Sequence, residues 1–143
     1  MTNFFTRLFL QPDVPSQIAT PHLPLGQALE SAVAQLEHAG YELIGVEEHA
    51  QFFRTQDDEV GVTVHATGGM VTSVVYDDPA GRNSEQGKAE KIRLYLTRYG
   101  APASWKMRMQ NDWMDYWFNP AGKVSMVYGR DMDVLRFNRN DGE

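Results

Sequence analysis

The chain contains no cysteine. This absence excludes disulfide bonds, thiolate catalysis and cysteine-based zinc sites, and it is typical of a cytoplasmic protein. No apolar run approaches the ~18 residues of a membrane-spanning helix. Lysine and arginine form no run, and the net charge is -6. Because a duplex-binding protein needs clustered cations to replace phosphate counterions, we expect neither a nucleic acid nor a membrane as a partner.

Motifs that carry catalysis are also missing. The sequence has no G-x-S-x-G elbow, no P-loop and no G-x-G-x-x-G loop. No two of the four histidines have the i, i+4 spacing of a helical zinc pair. The acidic stretches at residues 47–49 and 57–59 lack the ligand spacing of a calcium loop and are typical of turns. The sequence therefore indicates no metal and no cofactor, and it leaves open whether any reaction is catalysed.

The 143 residues are 42% hydrophobic and 22% charged, which predicts one folded domain with a real core. Residues 1–24 form an apolar N-terminal segment followed by a proline-rich connector. Phe4, Phe5, Leu8 and Phe9 have helical spacing, so this segment either docks on the domain's own core or contacts a partner. The start lacks a basic region and a cleavage site, and we expect no secretory signal.

The rest of the chain divides into two similar halves, residues 25–78 and 84–139, followed by a tail at 140–143. In each half, a helical pattern ending at a glycine (Gly40 or Gly100) precedes four strand-like runs. These two glycines are 60 positions apart, as are Gly69 and Gly129. The pattern predicts an α+β fold of two tandem helix-plus-four-strand antiparallel repeats, with the helices on one face of the sheet.

This order of elements resembles that of the tandem helix-plus-four-strand proteins typified by the beta-lactamase inhibitor protein. The resemblance lies in the order of elements alone, and it implies a topology without assigning a role to any residue.

Strand alternation in the second half predicts which side chains share a face. One predicted set is apolar and is interpreted as the helix-covered core: Trp105, Met107, Met109, Met114, Tyr116, Phe118, Val124, Met126, Tyr128, Leu135 and Phe137. The opposite set mixes aromatic and charged groups: Lys106, Arg108, Gln110, Trp113, Asp115, Trp117, Ser125, Val127, Val134 and Arg136. In the first half, Val62, Val64 and Ala66 are expected to face the core, with Thr63 and His65 opposite.

The mixed set has the composition of a protein interface, with aromatic anchors among guanidinium and polar groups. The leading hypothesis is therefore a non-enzymatic cytoplasmic binding module, such as an adaptor, an inhibitor or an immunity-type factor. It would hold a protein partner with the open sheet face, through five residues: Trp113, Trp117, Arg108, Asp115 and Arg136. The acidity of the chain would favour a basic partner.

Two alternatives stay open. In the first, a pocket between the sheet and the N-terminal segment serves a small-molecule binder or an enzyme, with His65, Tyr76 and Asp115 as its polar groups. In the second, the open face is a homodimer interface. Trp113 and Trp117 could also be covered by another part of the same chain.

Overall fold

The computed structural model describes residues 22–55, 61–77, 92–93, 95–121, 123–129 and 134–139. Its elements comprise one main helix and eight strands: α1 (Leu29–His38), β1 (Glu42–Glu47), β2 (Ala50–Arg54), β3 (Gly61–Thr67), β4 (Met70–Asp77), β5 (Lys106–Gln110), β6 (Met114–Asn119), β7 (Val124–Gly129) and β8 (Val134–Arg139). A short 3₁₀ helix covers Pro102–Ser104. The predicted apolar segment before residue 22 and the predicted turn at 57–59 lie outside the described residues.

All eight strands join in one antiparallel sheet, in the order β1-β2-β3-β4-β8-β7-β6-β5. The predicted α+β class and the eight predicted strands are confirmed. Each half of the chain forms a four-stranded meander, and the last strands of the two meanders pair at the centre. The order is therefore symmetric, because the strands of each meander follow in chain order from one edge of the sheet to its centre. The first strand of each meander is an edge strand.

The helical part of the tandem repeat is not confirmed. One main helix is described, in the first half of the chain. The second predicted helix, at 88–100, falls partly outside the described residues, although residues 92–93 and 95–98 are helical. Tyr95, Leu96 and Tyr99, which were expected on its apolar face, are buried.

Helix α1 ends at His38, and Gly40, which the sequence predicts as its stop, follows two residues later. This glycine has φ 94°, a left-handed conformation that costs glycine little because it has no Cβ. The Gly40 amide donates to the Glu37 carbonyl at 3.0 Å, and the Tyr41 amide donates to the Leu36 carbonyl at 3.0 Å. These two bonds form a Schellman motif, which satisfies the last carbonyls of the helix.

The core lies between the sheet and its helices. Ala32 and Leu36 of α1 pack with Phe53, Val62, Val64 and Val74 of the first meander. Tyr95, Leu96 and Tyr99 join the same cluster with residues of the second meander: Trp105, Val124, Met126, Tyr128, Leu135 and Phe137. We call this side of the sheet the helix-covered face.

The predicted faces of β6 are reversed, so the side chains that were predicted to face the core lie on the other side of the sheet. Trp117 pairs with Met126, and Asp115 pairs with Tyr128, so both belong to the helix-covered face. Tyr116 pairs with Val127 on the other face. Composition misled the prediction because both faces of β6 carry aromatic side chains, so alternation alone cannot decide which face is the core.

Both edge strands contain an irregularity at matching places. The pairing register shifts between Leu43 and Gly45 in β1, and between Met107 and Met109 in β5. The β5 shift moves Met109 to the face of Tyr116, whereas the strict alternation of the prediction kept it with Met107. Bulges of this kind re-aim side chains and make an edge a poorer template for adding another strand.

Candidate functional site

The sheet face opposite α1, which we call the open face, arranges its side chains in cross-strand rows. The first row is Ala50, His65, Ser73, Asn138, Ser125, Phe118 and Lys106. Four residues of this first row are buried: Ala50, Ser73, Ser125 and Phe118. The second row is Phe52, Thr63, Val75, Arg136, Val127, Tyr116 and Met109. The third row is Arg54, Gly61, Asp77, Val134, Gly129 and Met114.

Arg136 occupies the centre of this face, because β8 is a middle strand of the sheet. Its side chain is exposed. The Nε atom donates to Ser73 Oγ at 3.2 Å and to Asn138 Oδ1 at 3.0 Å. Both bonds use the inner nitrogen of the guanidinium. They hold the group in place while its two terminal nitrogens, which can bind a carboxylate in a bidentate manner, keep their donors available within the described structure.

His65 lies near Arg136, with the Ser73 strand position between them. Burial lowers the pKa of His65 below its ordinary value of 6.5, and the positive charge of Arg136 lowers the pKa further. Glu47 acts in the opposite direction. His65 is therefore a titratable group of the open face whose neutral form is favoured.

We expect acidification to destabilise the fold through His65. Because the folded state lowers its pKa, the unfolded state binds the proton more readily. The stabilising contribution is thus complete above pH 6.5 and is lost as the pH falls from there through the folded-state pKa. Urea midpoints at several pH values between about 7.5 and 5 should fall less for His65→Asn than for the wild type.

His49→Asn is the matched control for this measurement, since the His49 side chain is 67% exposed. His22 is tested separately with His22→Asn, because burial and the charge of Arg98 lower its pKa in the same direction. Equal pH profiles for His65→Asn and the wild type would contradict the prediction.

The two halves of the open face differ in charge. On the first meander, Glu42 and Glu47 of β1 share this face with Arg54 and Asp77. Arg54 Nη2 lies 3.2 Å from Asp77 Oδ1, across Gly61 of the strand between them. A Cβ at Gly61 would lie 2.5 Å from Asp77 Oδ2, so a side chain at this position would displace the Asp77 carboxylate. The acidic groups of the face are thus gathered on the first meander.

The second meander carries a group that we call the basic-aromatic patch: Lys106, Arg108, Tyr116, Phe118 and Arg136. The Arg108 guanidinium carbon lies 4.9 Å from the centre of the Phe118 ring, which is cation–π geometry. Among the described residues of β5–β8, no carboxylate is on the open face. The patch therefore combines three cations with two aromatic rings and no opposing charge from its own strands.

The predicted site residues separate in the structure. Arg108, Arg136 and His65 do share the open face. Trp117 and Asp115 lie on the helix-covered face, where Trp117 packs against the core and Asp115 is only 6% exposed. The pairing of β6 with β7 therefore contradicts the prediction that Trp117 and Asp115 lie on the open face.

Trp113 and Tyr76 do not belong to the basic-aromatic patch either. Trp113 is 65% exposed and lies in the β5–β6 turn, where Asn111 Oδ1 accepts from the Trp113 and Met114 amides at 2.8 and 2.9 Å. Tyr76 is buried in the core and shares a hydrogen bond between hydroxyl groups with Tyr99. Burial raises the pKa of Tyr76 to about 12. His65, Tyr76 and Asp115 therefore do not line one pocket.

Sequence reasoning missed Tyr116 and Phe118 because it placed them in the core. Lys106 was placed on the correct face but was not selected. In the structure, Phe118 pairs with Ser125 and Tyr116 pairs with Val127. The sequence carries no signal for this choice of face, because both faces of β6 have aromatic side chains.

Comparisons with protein-family models, curated proteins and solved structures gave no match for this chain. Within the described ranges, no group of three or more His, Cys, Asp or Glu side chains could hold a metal ion. No helix in the described structure has the length and apolarity needed to cross a membrane.

Proposed function

We propose that this chain is a binding protein that holds a protein partner on the open face of its sheet, centred on Arg136. The observation that carries the proposal is the anchoring of Arg136 by Ser73 and Asn138. A guanidinium that is already ordered loses less conformational freedom when it binds a carboxylate. An exposed, pre-ordered cation in the middle of a sheet is therefore well placed for recognition.

The partner surface should be acidic with apolar anchors. Lys106, Arg108 and Arg136 supply positive charge, and the half-buried Tyr116 supplies aromatic area. Phe118 is buried and supports the Arg108 guanidinium from below. This local charge is opposite to the net charge of -6, from which a basic partner was expected. The charges nearest the contact decide complementarity, because surface charges beyond about 10 Å are largely screened at 0.1 M salt.

A protein partner is favoured over a nucleic acid. Basic and aromatic side chains together can also stack on single-stranded bases. A nucleic acid would, however, extend its phosphates beyond three cations and approach the acidic groups of the first meander, Glu42, Glu47 and Asp77.

The test is a selection of displayed 12-residue peptides on the intact protein, followed by affinity measurements on the enriched peptides. We expect enrichment of peptides that combine Asp or Glu with apolar residues. Arg136→Gln removes charge-assisted hydrogen bonds worth about 1.5–3 kcal/mol, and it should weaken binding of the best peptide roughly 10- to 100-fold.

Arg93→Gln is the matched control, because Arg93 is exposed on the helical segment outside the patch. It should bind the peptide as the wild type does. Enrichment of basic peptides, or no enrichment, would refute the proposal. Tighter binding of a labelled single-stranded oligonucleotide would refute it in favour of a nucleic acid, and sedimentation showing a dimer that Arg136→Gln dissociates would refute it in favour of self-association.

A further inference from the structure

The exposed apolar surface of the described structure is concentrated at the two edges of the sheet. Seven large apolar side chains are exposed among the described residues, and six of them lie at these edges: Leu43, Ile44 and Val46 in β1, Met107 and Met109 in β5, and Trp113 in the turn after β5. Every position of β5 is exposed, and in β1 every position except Gly45 is exposed. An edge strand that exposes apolar side chains is a template for pairing with another strand.

The two edges carry opposite charges. Strand β1 contains Glu42 and Glu47 and no lysine or arginine, whereas β5 contains Lys106 and Arg108 and no carboxylate. All four of these charged side chains belong to the open face. Opposite charges on neighbouring strands stabilise a sheet, and like charges directly opposite each other destabilise it.

The strand order makes the two edges compatible in direction. All seven pairings are antiparallel, so β1 and β5, at the two ends of the eight-stranded sheet, run in opposite directions. A second copy placed beside the first in the same orientation would therefore bring its β5 antiparallel to β1. The helix-covered faces of both copies would then lie on one side of the joined sheet, and the charged side chains of both edges on the other.

Pairing between like edges is disfavoured by charge. If β1 of one copy paired with β1 of another, Glu42 and Glu47 would be placed against the same carboxylates. If β5 paired with β5, Lys106 and Arg108 would be placed against the same cations. Of these combinations, β1 with β5 is the one that joins apolar side chains from both copies and also sets opposite charges beside each other.

We propose that copies of this chain associate head to tail, through antiparallel pairing of β1 of one copy with β5 of the next. Such a contact is heterologous, so each copy keeps an edge that can bind a further copy, and assembly continues beyond a dimer. The bulge in each edge strand reduces the regular pairing that a second strand can make, so the association should be weak and reversible. The contact uses the edges of the sheet, whereas partner binding is proposed around Arg136 at its centre.

Sedimentation velocity over a concentration series from about 10 μM to about 1 mM tests this proposal in the range of weak association. We expect the weight-average sedimentation coefficient to rise continuously and to pass the value of a dimer. Hydrogen exchange at the two ends of the series should show that β1 and β5 gain amide protection at the higher concentration, while the central strands do not change.

Charge reversal tests which edges meet. Glu47→Lys and Lys106→Glu should each weaken the association about tenfold, because each sets like charges at the contact. An equimolar mixture of the two variants should recover the association, since each reversed edge then meets an edge of opposite charge. Glu30→Lys is the matched control, because it makes the same change of charge at an exposed position of α1, and it should associate as the wild type does.

Arg136→Gln should leave this association unchanged, so failure of the edge contact and failure of the open-face proposal can be told apart. A monomer throughout the concentration series would overturn the proposal, as would an assembly that stops at a dimer or a mixture of variants that does not recover. Equal protection of β1 at both concentrations would also overturn it, and would assign the β1 edge to a segment of the same chain.

Discussion

Replacing Phe137 by alanine should lower the free energy of unfolding by roughly 3–5 kcal/mol. Phe137 lies at the centre of the core with no exposed surface. Its ring stacks on Tyr99 at 4.1 Å between centroids and meets Tyr76, Tyr95 and Trp105 at 6.2 to 6.5 Å. Removing it leaves a cavity that rigid aromatic neighbours fill poorly, so the loss should be near the upper end of this range.

Urea denaturation followed by tryptophan fluorescence and circular dichroism measures this loss. If Phe137→Ala does not fold, Phe137→Leu should still fold and lose roughly 1–2 kcal/mol. Trp113→Ala is the control, and it should change the free energy of unfolding by less than about 0.5 kcal/mol because that ring is largely exposed. A cost below 1 kcal/mol for Phe137→Ala would show that the described core is wrong.

Replacing Gly100 by alanine should cost roughly 1–3 kcal/mol by overpacking. A Cβ at this position would lie 1.9 Å from Asn119 Nδ2 and 3.4 Å from Trp105 Nε1. The Asn119 side chain is buried and has little room to withdraw. The Trp105 indole is itself held, because its Nε1 donates to the Leu96 carbonyl at 3.1 Å.

A double-mutant cycle with Asn119→Ala isolates the cause. The Gly100→Ala substitution should cost less in the Asn119→Ala background, since the clashing amide is gone. Thermal unfolding of the four proteins gives the coupling. Equal costs in both backgrounds would show that the contact with Asn119 is not the source of the cost. Gly40→Ala provides the contrast. A Cβ at Gly40 meets nothing within 4 Å and the φ of Gly40 is 94°, so the cost of that substitution comes from the backbone and not from overpacking.

The fold could be predicted from the sequence where its signals are local. Strand alternation and turn residues located all eight strands. Gly40 marked the end of α1, and Gly68 and Gly69, with φ of 59° and 77°, form the tight β3–β4 turn that their sequence favours. The sequence does not determine whether the two meanders join in one sheet. The pairing of β4 with β8 joins residues about 60 positions apart in the chain, such as Val75 and Arg136, and no local signal marks it.

The candidate site was predicted only where one face of a strand is clearly apolar. Arg136 was placed correctly because Leu135 and Phe137 identify the core side of β8. Trp117 was misplaced because β6 carries aromatic side chains on both faces. The bulge in β5 also interrupts the alternation of the neighbouring strand, so β5 gives no guide to the faces of β6.

The strand order has a consequence for how the chain folds. Six of the seven described strand pairings join strands that are neighbours in sequence, and only β4–β8 joins distant ones. Closing a long loop costs entropy before its contacts form, whereas hairpins close in microseconds. Each meander can thus collapse early on its own, and the meeting of β4 with β8 becomes the slow step, with Arg136 reaching Ser73 only after it.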